Sequence, residues 1–153
     1  MKAATTDACA RRHEHSPPQC STESSSCGPA THAVSKLIRQ KDAVFFCSQN
    51  IAEFWNVATR PADQNGLGLS HEEALQEVAS IEKLLTLLPD IPAIYPAWKE
   101  IVRDHRVQGI KVYDARLVAA MSVYSVESVL TFNAADFKRY SNITALQPSS
   151  ILS

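Results

Sequence analysis

From Lys36 onward, apolar residues recur in short runs and helical steps; before it they are nearly absent. Ala43-Val44-Phe45-Phe46-Cys47 is one continuous apolar run, as in a strand covered on both faces. The stretch SQNIAEFWNVATRP (48–61) predicts a helix over about 49–59, with Ile51, Phe54, Trp55 and Ala58 as a broad apolar face. Asn65-Gly66 and Gly68 mark a loop. Ser70 then reads as an N-cap with Glu73 completing a capping box, and Leu69 is placed to staple onto Ala74. The helix they open carries Leu75, Val78, Ile81, Leu85 and Leu88 at steps of three or four. Its tail, Thr86-Leu87-Leu88-Pro89, reads equally as a strand. A third helix is expected from Pro96 to about His105, burying Trp98, Ile101 and Val102. A fourth is expected from about Asp114 to Tyr124, burying Leu117, Val118 and Met121. Residues 128–132 and 143–146 read as strands, the second ending before Pro148. Alternating strands and helices predict an α/β fold with a mainly parallel sheet and helices on both faces.

Composition sharpens the break near Lys36. The preceding segment has no Leu, Ile, Phe, Tyr or Trp, and Val34 is its one β-branched aliphatic residue. Such a segment buries too little apolar surface to offset its ordering entropy, so residues 1–35 are expected to be disordered, with a domain over 36–148 and a tail over 149–153. Cys9, His13, His15, Cys20, Cys27 and His32 match no zinc finger or ribbon spacing. Cys47 lies in an apolar run and reads as a buried core thiol. The 153 residues, 45% of them hydrophobic and 20% charged, suit one soluble domain with a real core. A formal net charge of −1 gives no global attraction to nucleic acid or anionic membrane, so a polyanion needs a local basic patch. No apolar run approaches a membrane span and no signal-peptide stretch is visible, so a cytoplasmic protein with reduced thiols is expected.

Four polar residues stand out beside this apolar frame. Glu53 lies one turn from Asn50, Asn56 and Val57 and by itself reads as part of a solvated helix face. Asp114 precedes ARLVAAM and by itself reads as a helix cap. Asn133 and Asp136, in TFNAADF (131–137), by themselves read as turn residues after a strand. Together they say more, because ligands of open parallel sheets bind beyond the carboxyl ends of the strands. Glu53 and the Asn133–Asp136 pair each follow a strand, and Asp114 opens a helix that can point at the same edge. Oxygen donors clustered there suit a hard cation such as Mg²⁺ or Mn²⁺, which acidifies a bound water and stabilises charge on a phosphodiester.

SQNIAEFWNVATRP, DARLVAAM and LTFNAADF, in that order and spacing, resemble the PIN domain family, and within it the VapC-like ribonuclease toxins of toxin–antitoxin pairs. The resemblance covers Lys36 to Pro148. It implies a three-layer α/β/α sandwich, often dimeric, and a metal-dependent endoribonuclease held in check by a VapB-like antitoxin. The family's acidic positions fall on Glu53, Asp114 and Asp136, with Asn133 in support. Asp114 and Asp136 would hold Mg²⁺ or Mn²⁺, and Glu53 would hold or polarise the attacking water. Arg60, Lys99, Arg103, Arg106, Lys111 and Arg116 are candidate phosphate contacts, each of which alone also reads as a solvated charge. PIN domains open with an apolar central strand ending in an Asp-Thr-Asn-like motif, and residues 1–35 show neither; Asp7, followed by Ala-Cys, is a poor substitute. The expectation is therefore a sheet without its central first strand, following an out-of-frame or disordered N-terminal segment. With that aspartate missing, the alternatives are a catalytically impaired PIN-like protein that at most binds a partner or RNA, and an α/β binding domain whose carboxylates are caps and turns.

Overall fold

The computed structural model describes the backbone of residues 2–4 and residues 28–153. Five strands form one sheet: β1 (Lys2–Ala4), β2 (Val44–Cys47), β3 (Thr86–Leu88), β4 (Ser128–Leu130) and β5 (Thr144–Leu146). Their order is β3-β2-β1-β4-β5, and every neighbouring pair is parallel. The helices are α1 (Pro29–Arg39), α2 (Ser48–Thr59), α3 (His71–Leu84), α4 (Ile94–Asp104), α5 (Lys111–Val123), the one-turn α6 (Ala134–Phe137) and the short α7 (Pro148–Leu152).

The parallel sheet with helices on both faces agrees with the pattern reading, and the period-2 alternation of strand residues accounts for it. Phe45, Cys47, Leu88, Val129 and Ala145 face one layer, where Leu117, Val118 and Met121 of α5 meet them. Val44, Leu130 and Leu146 face the other, against Ala33 and Leu37 of α1 and Ile151 of α7. Helix α5 is apolar nearly all round because it is sandwiched: its other side offers Ala119 and Ala120 to Ile94, Ala97 and Trp98 of α4. Phe54 and Ala58 of α2 pack on Ala74 of α3 in a satellite cluster joined by Leu69, as a hydrophobic staple requires.

Two expectations about the N-terminal region are overturned. The sheet does not lack a central first strand: Lys2–Ala4 lies between β2 and β4, with Lys2 opposite Val44 and Ser128. A ladder is built from backbone N–H and C=O groups, so a segment with no apolar pattern fills this slot. The second is the break at Lys36, since α1 begins at Pro29 and Ala33 and Leu37 are both fully buried. Small residues such as Ala33 carry little hydrophobic signal yet allow close packing. Asp7, Cys9, His13, His15, Cys20 and Cys27 lie outside the described residues.

Smaller corrections have local causes. Of the two readings of the tail after Leu85 the strand holds, as β3, and Leu75 is half exposed because Ala74, Val78 and Ile81 take the inward face of α3. Helix α4 starts at Ile94, with Pro96 still in the first turn, where its missing N–H is no loss. The capping box of α3 is present: the Glu73 N–H donates to Ser70 Oγ at 3.2 Å and the Ser70 N–H to Glu73 Oε2 at 2.8 Å. Asn65 adopts a left-handed conformation, and the Gly66 N–H returns to Pro61 O at 3.0 Å, folding the loop back on the end of α2. A Cβ on Gly66 would meet the Arg60 carbonyl oxygen at 1.9 Å, so this position requires glycine.

Candidate functional site

The carboxyl ends of β2, β3 and β4 release the chain into Ser48-Gln49, Asp90 and Thr131–Asn133. Residues from all three ends, and from the first turn of α5, meet there. Helix α5 starts at Lys111, so Asp114 sits inside its first turn and is not its cap. A lysine at a helix N-terminus opposes the helix dipole, which is why the sequence signal favoured a start at the aspartate.

Lys111 joins two of the predicted carboxylates. Its Nζ lies 2.5 Å from Asp136 Oδ2 and 3.6 Å from Asp114 Oδ2. All three side chains are about one-third exposed (35%, 30% and 27%), so this is a rim charge cluster, not a buried one. The Asp136 hydrogen bond, then the charge of Asp114, holds the Lys111 ammonium above its usual range. Glu53 belongs to a second, linked group. Gln49 Nε2 donates to Glu53 Oε1 at 2.7 Å and to the Tyr113 carbonyl at 3.0 Å, next to Asp114 in the chain. Arg116 donates to Gln49 Oε1 at 3.3 Å and pairs with Asp90 at 2.7 Å, and Ser48 Oγ donates to the other oxygen of Asp90.

The turn after β4 is built as follows. The Asn133 N–H donates to the buried Thr131 Oγ1 at 3.0 Å, and the Asp136 N–H to the Asn133 carbonyl at 3.0 Å. Asn133 thus starts a one-turn helix that carries Asp136 to Lys111.

The expected metal set of Glu53, Asp114 and Asp136 is not assembled as one. Among the described residues, no three His, Cys, Asp or Glu side chains gather into a group able to hold a metal ion. Asp114 and Asp136 nevertheless converge on one ammonium, which lies within 4 Å of both and offsets the mutual repulsion of the two carboxylates. Carboxylate oxygens are the donor type that a hard divalent ion takes; Glu53 stands a step away, through Gln49 and Tyr113.

Among the predicted cations, Lys111 and Arg116 are drawn into this region. Arg60 is not, because it follows the last turn of α2, roughly 18 Å of helix from Ser48. Arg103 pairs at 2.8 Å with its neighbour Asp104 on the exposed end of α4.

Three contributors escaped the sequence reading. Gln49 is marked only by its position four before Glu53, and Asp90 by its place after a strand. Tyr140 is buried against His105, with ring centroids 4.9 Å apart. Its hydroxyl is pushed up mainly by burial, and it feels the charges of Asp114 and Lys111. Asn50, expected on a polar strip beside Glu53, is buried instead; its Oδ1 accepts from the Cys47 N–H at 2.9 Å and from the Cys47 thiol at 3.1 Å. Cys47 is the free, buried thiol its surroundings predicted.

These surroundings give a pH dependence. Burial pushes the Cys47 thiol up, and Asp136 raises Lys111. A folded-state value above the unfolded one leaves stability whole below the unfolded pKa, about 8.5 for a thiol and about 10.4 for lysine, and erodes it as pH rises further. The melting temperature should therefore fall from about pH 9 upward, and Cys47→Ala should remove the earlier part of that fall. A flat profile to about pH 11 would contradict these assignments.

No helix among the described residues is long and apolar enough to cross a membrane. No curated protein matches the sequence. Residues 28–143 match the family described as the PIN domain, whose members are in general nucleases dependent on a divalent metal. With the match extending over more than half of its length, the chain belongs to the PIN domain family.

Proposed function

We propose that this protein is a metal-dependent endoribonuclease that hydrolyses RNA phosphodiester bonds, the toxin of a toxin–antitoxin pair with a VapB-like antitoxin as its partner. The observation that carries the reading is the convergence of Asp114 and Asp136 on one cationic position at the carboxyl edge of the sheet. Asp114 and Asp136 would hold Mg²⁺ or Mn²⁺, with Glu53 close by. The ion, when bound, supplies Lewis-acid stabilisation of charge on the phosphate and acidifies water.

The chain's own residues do the rest. Glu53, oriented by Gln49, accepts a proton from the attacking water. The water oxygen forms a new bond to phosphorus as one P–O ester bond breaks, and the leaving oxygen is protonated by solvent. Lys111 and Arg116 neutralise flanking phosphates. Asn133 positions Asp136 by starting the turn that carries it.

The purified chain should cleave single-stranded RNA with Mg²⁺ or Mn²⁺ and lose that activity in chelator. Cleavage that persists in chelator would exclude the reading. Absence of cleavage with either ion, in a chain that melts cooperatively, would favour the catalytically impaired alternative.

A further inference from the structure

A second feature lies beside the carboxylates. A cleft of about 350 Å³ is lined by Asp90, Ile91, Ile94, Tyr95, Trp98 and Arg116. Its volume lies within the range of about 300–1,000 Å³ found for small-ligand sites. Tyr95 and Trp98 are three apart on α4 and so share a face, with rings stacked at 6.0 Å and 27°. Ile94 is anchored under Ala119 and Ala120. Trp98 is fixed by its indole N–H, which donates to the Val112 carbonyl at 3.2 Å, and Tyr95 is 63% exposed.

We infer that this cleft holds an unpaired nucleobase of the RNA substrate, next to the phosphate that is cut. The inference rests on the nuclease reading for the identity of the polymer, but the cleft has its own support. A base needs a π-face, and the aromatic pair offers one. The phosphates on either side need cations. Lys99 Nζ sits 5.7 Å from the Tyr95 ring centroid, and Arg116 is among the residues that line the cleft. The one carboxylate in the lining, Asp90, is engaged by Arg116 and Ser48. Position completes the case: Arg116 reaches Gln49, and Gln49 reaches Glu53, so two hydrogen bonds join the cleft wall to the proposed base.

The test is binding of a short single-stranded oligoribonucleotide to the full chain in chelator, read by tryptophan fluorescence. Trp55 packs against His71 at 5.1 Å in the α2–α3 cluster and supplies a constant background. Quenching of Trp98 is expected. Tyr95→Ala should weaken binding about tenfold, and an abasic oligoribose-phosphate of equal length should lose about the same factor with the native chain. Trp98→Phe, which keeps a ring and the packing on α5, should retain binding and lose the quenching. Equal binding of the native chain and Tyr95→Ala, or of the oligoribonucleotide and its abasic counterpart, overturns the inference, as does no binding at all. A smaller sedimenting mass for Tyr95→Ala would assign the cleft to a second copy of the chain and equally overturn it. Cleavage with Mg²⁺ is scored separately: quenching without cleavage keeps the cleft and removes the nuclease, while native-like cleavage by Tyr95→Ala keeps the nuclease and removes the cleft.

Discussion

Replacing Asp114 with asparagine is expected to lower metal-dependent RNA cleavage by about a hundredfold or more, with little change in melting temperature. The substitution keeps the side chain's shape and removes its charge. A divalent ion shared with Asp136 would lose half of its anionic donors, and several kcal/mol of transition-state stabilisation depend on that ion. The structural cost is much smaller. Asp114 and Lys111 are each only partly covered, and their atoms stand 3.6 Å apart. A solvent-screened pair of this kind contributes about 0.2–1 kcal/mol, or a few degrees of melting temperature in a chain of this size. Cleavage rates and a thermal melt on the same preparation check both halves. Native-like cleavage by the variant would remove Asp114 from the chemistry and with it the proposed site.

Removing residues 1–27 is expected to abolish the cooperative thermal transition. Strand β1 is the middle of the sheet order, and its loss leaves β2 and β4 about 10 Å apart with facing, unpaired backbone edges. Each buried N–H or C=O left unsatisfied costs about 1–3 kcal/mol, against a total stability of about 5–15 kcal/mol for a domain. Either Val44–Cys47 and Ser128–Leu130 slide together, pulling α1 and α5 out of their layers, or the sheet opens. A calorimetric scan of the shortened chain beside the full one decides this. Identical transitions would mean that the domain is complete from α1 onward and that Lys2–Ala4 contributes nothing to its stability.

The two experiments bear on different parts of what the sequence conveys. The capping box at Ser70, the buried run at 44–47 and the apolar stripe of α5 were all legible, because each is a local pattern whose signal and structure lie within one or two turns. The candidate positions Glu53, Asp114, Asn133 and Asp136 were legible through the resemblance of three short stretches to the family's motifs. Their mutual geometry was not. Gln49 as the link from Glu53 to Tyr113 and Arg116, Lys111 as the bridge from Asp114 to Asp136, and Asp90 as the partner of Arg116 all depend on contacts between segments far apart in the chain.

The sequence by itself determined the alternation of strands and helices and the family, since periodicity and motif spacing are properties of the chain. Only the tertiary structure decided that Lys2–Ala4 fills the centre of the sheet, that Asn50 is buried while Leu75 is not, and that a lysine predicted to meet phosphate stands between the two aspartates. The physical reason is the same in each case. Backbone pairing, burial and charge neutralisation are settled by neighbours in space, and a linear pattern carries no information about a neighbour that the fold has yet to bring near.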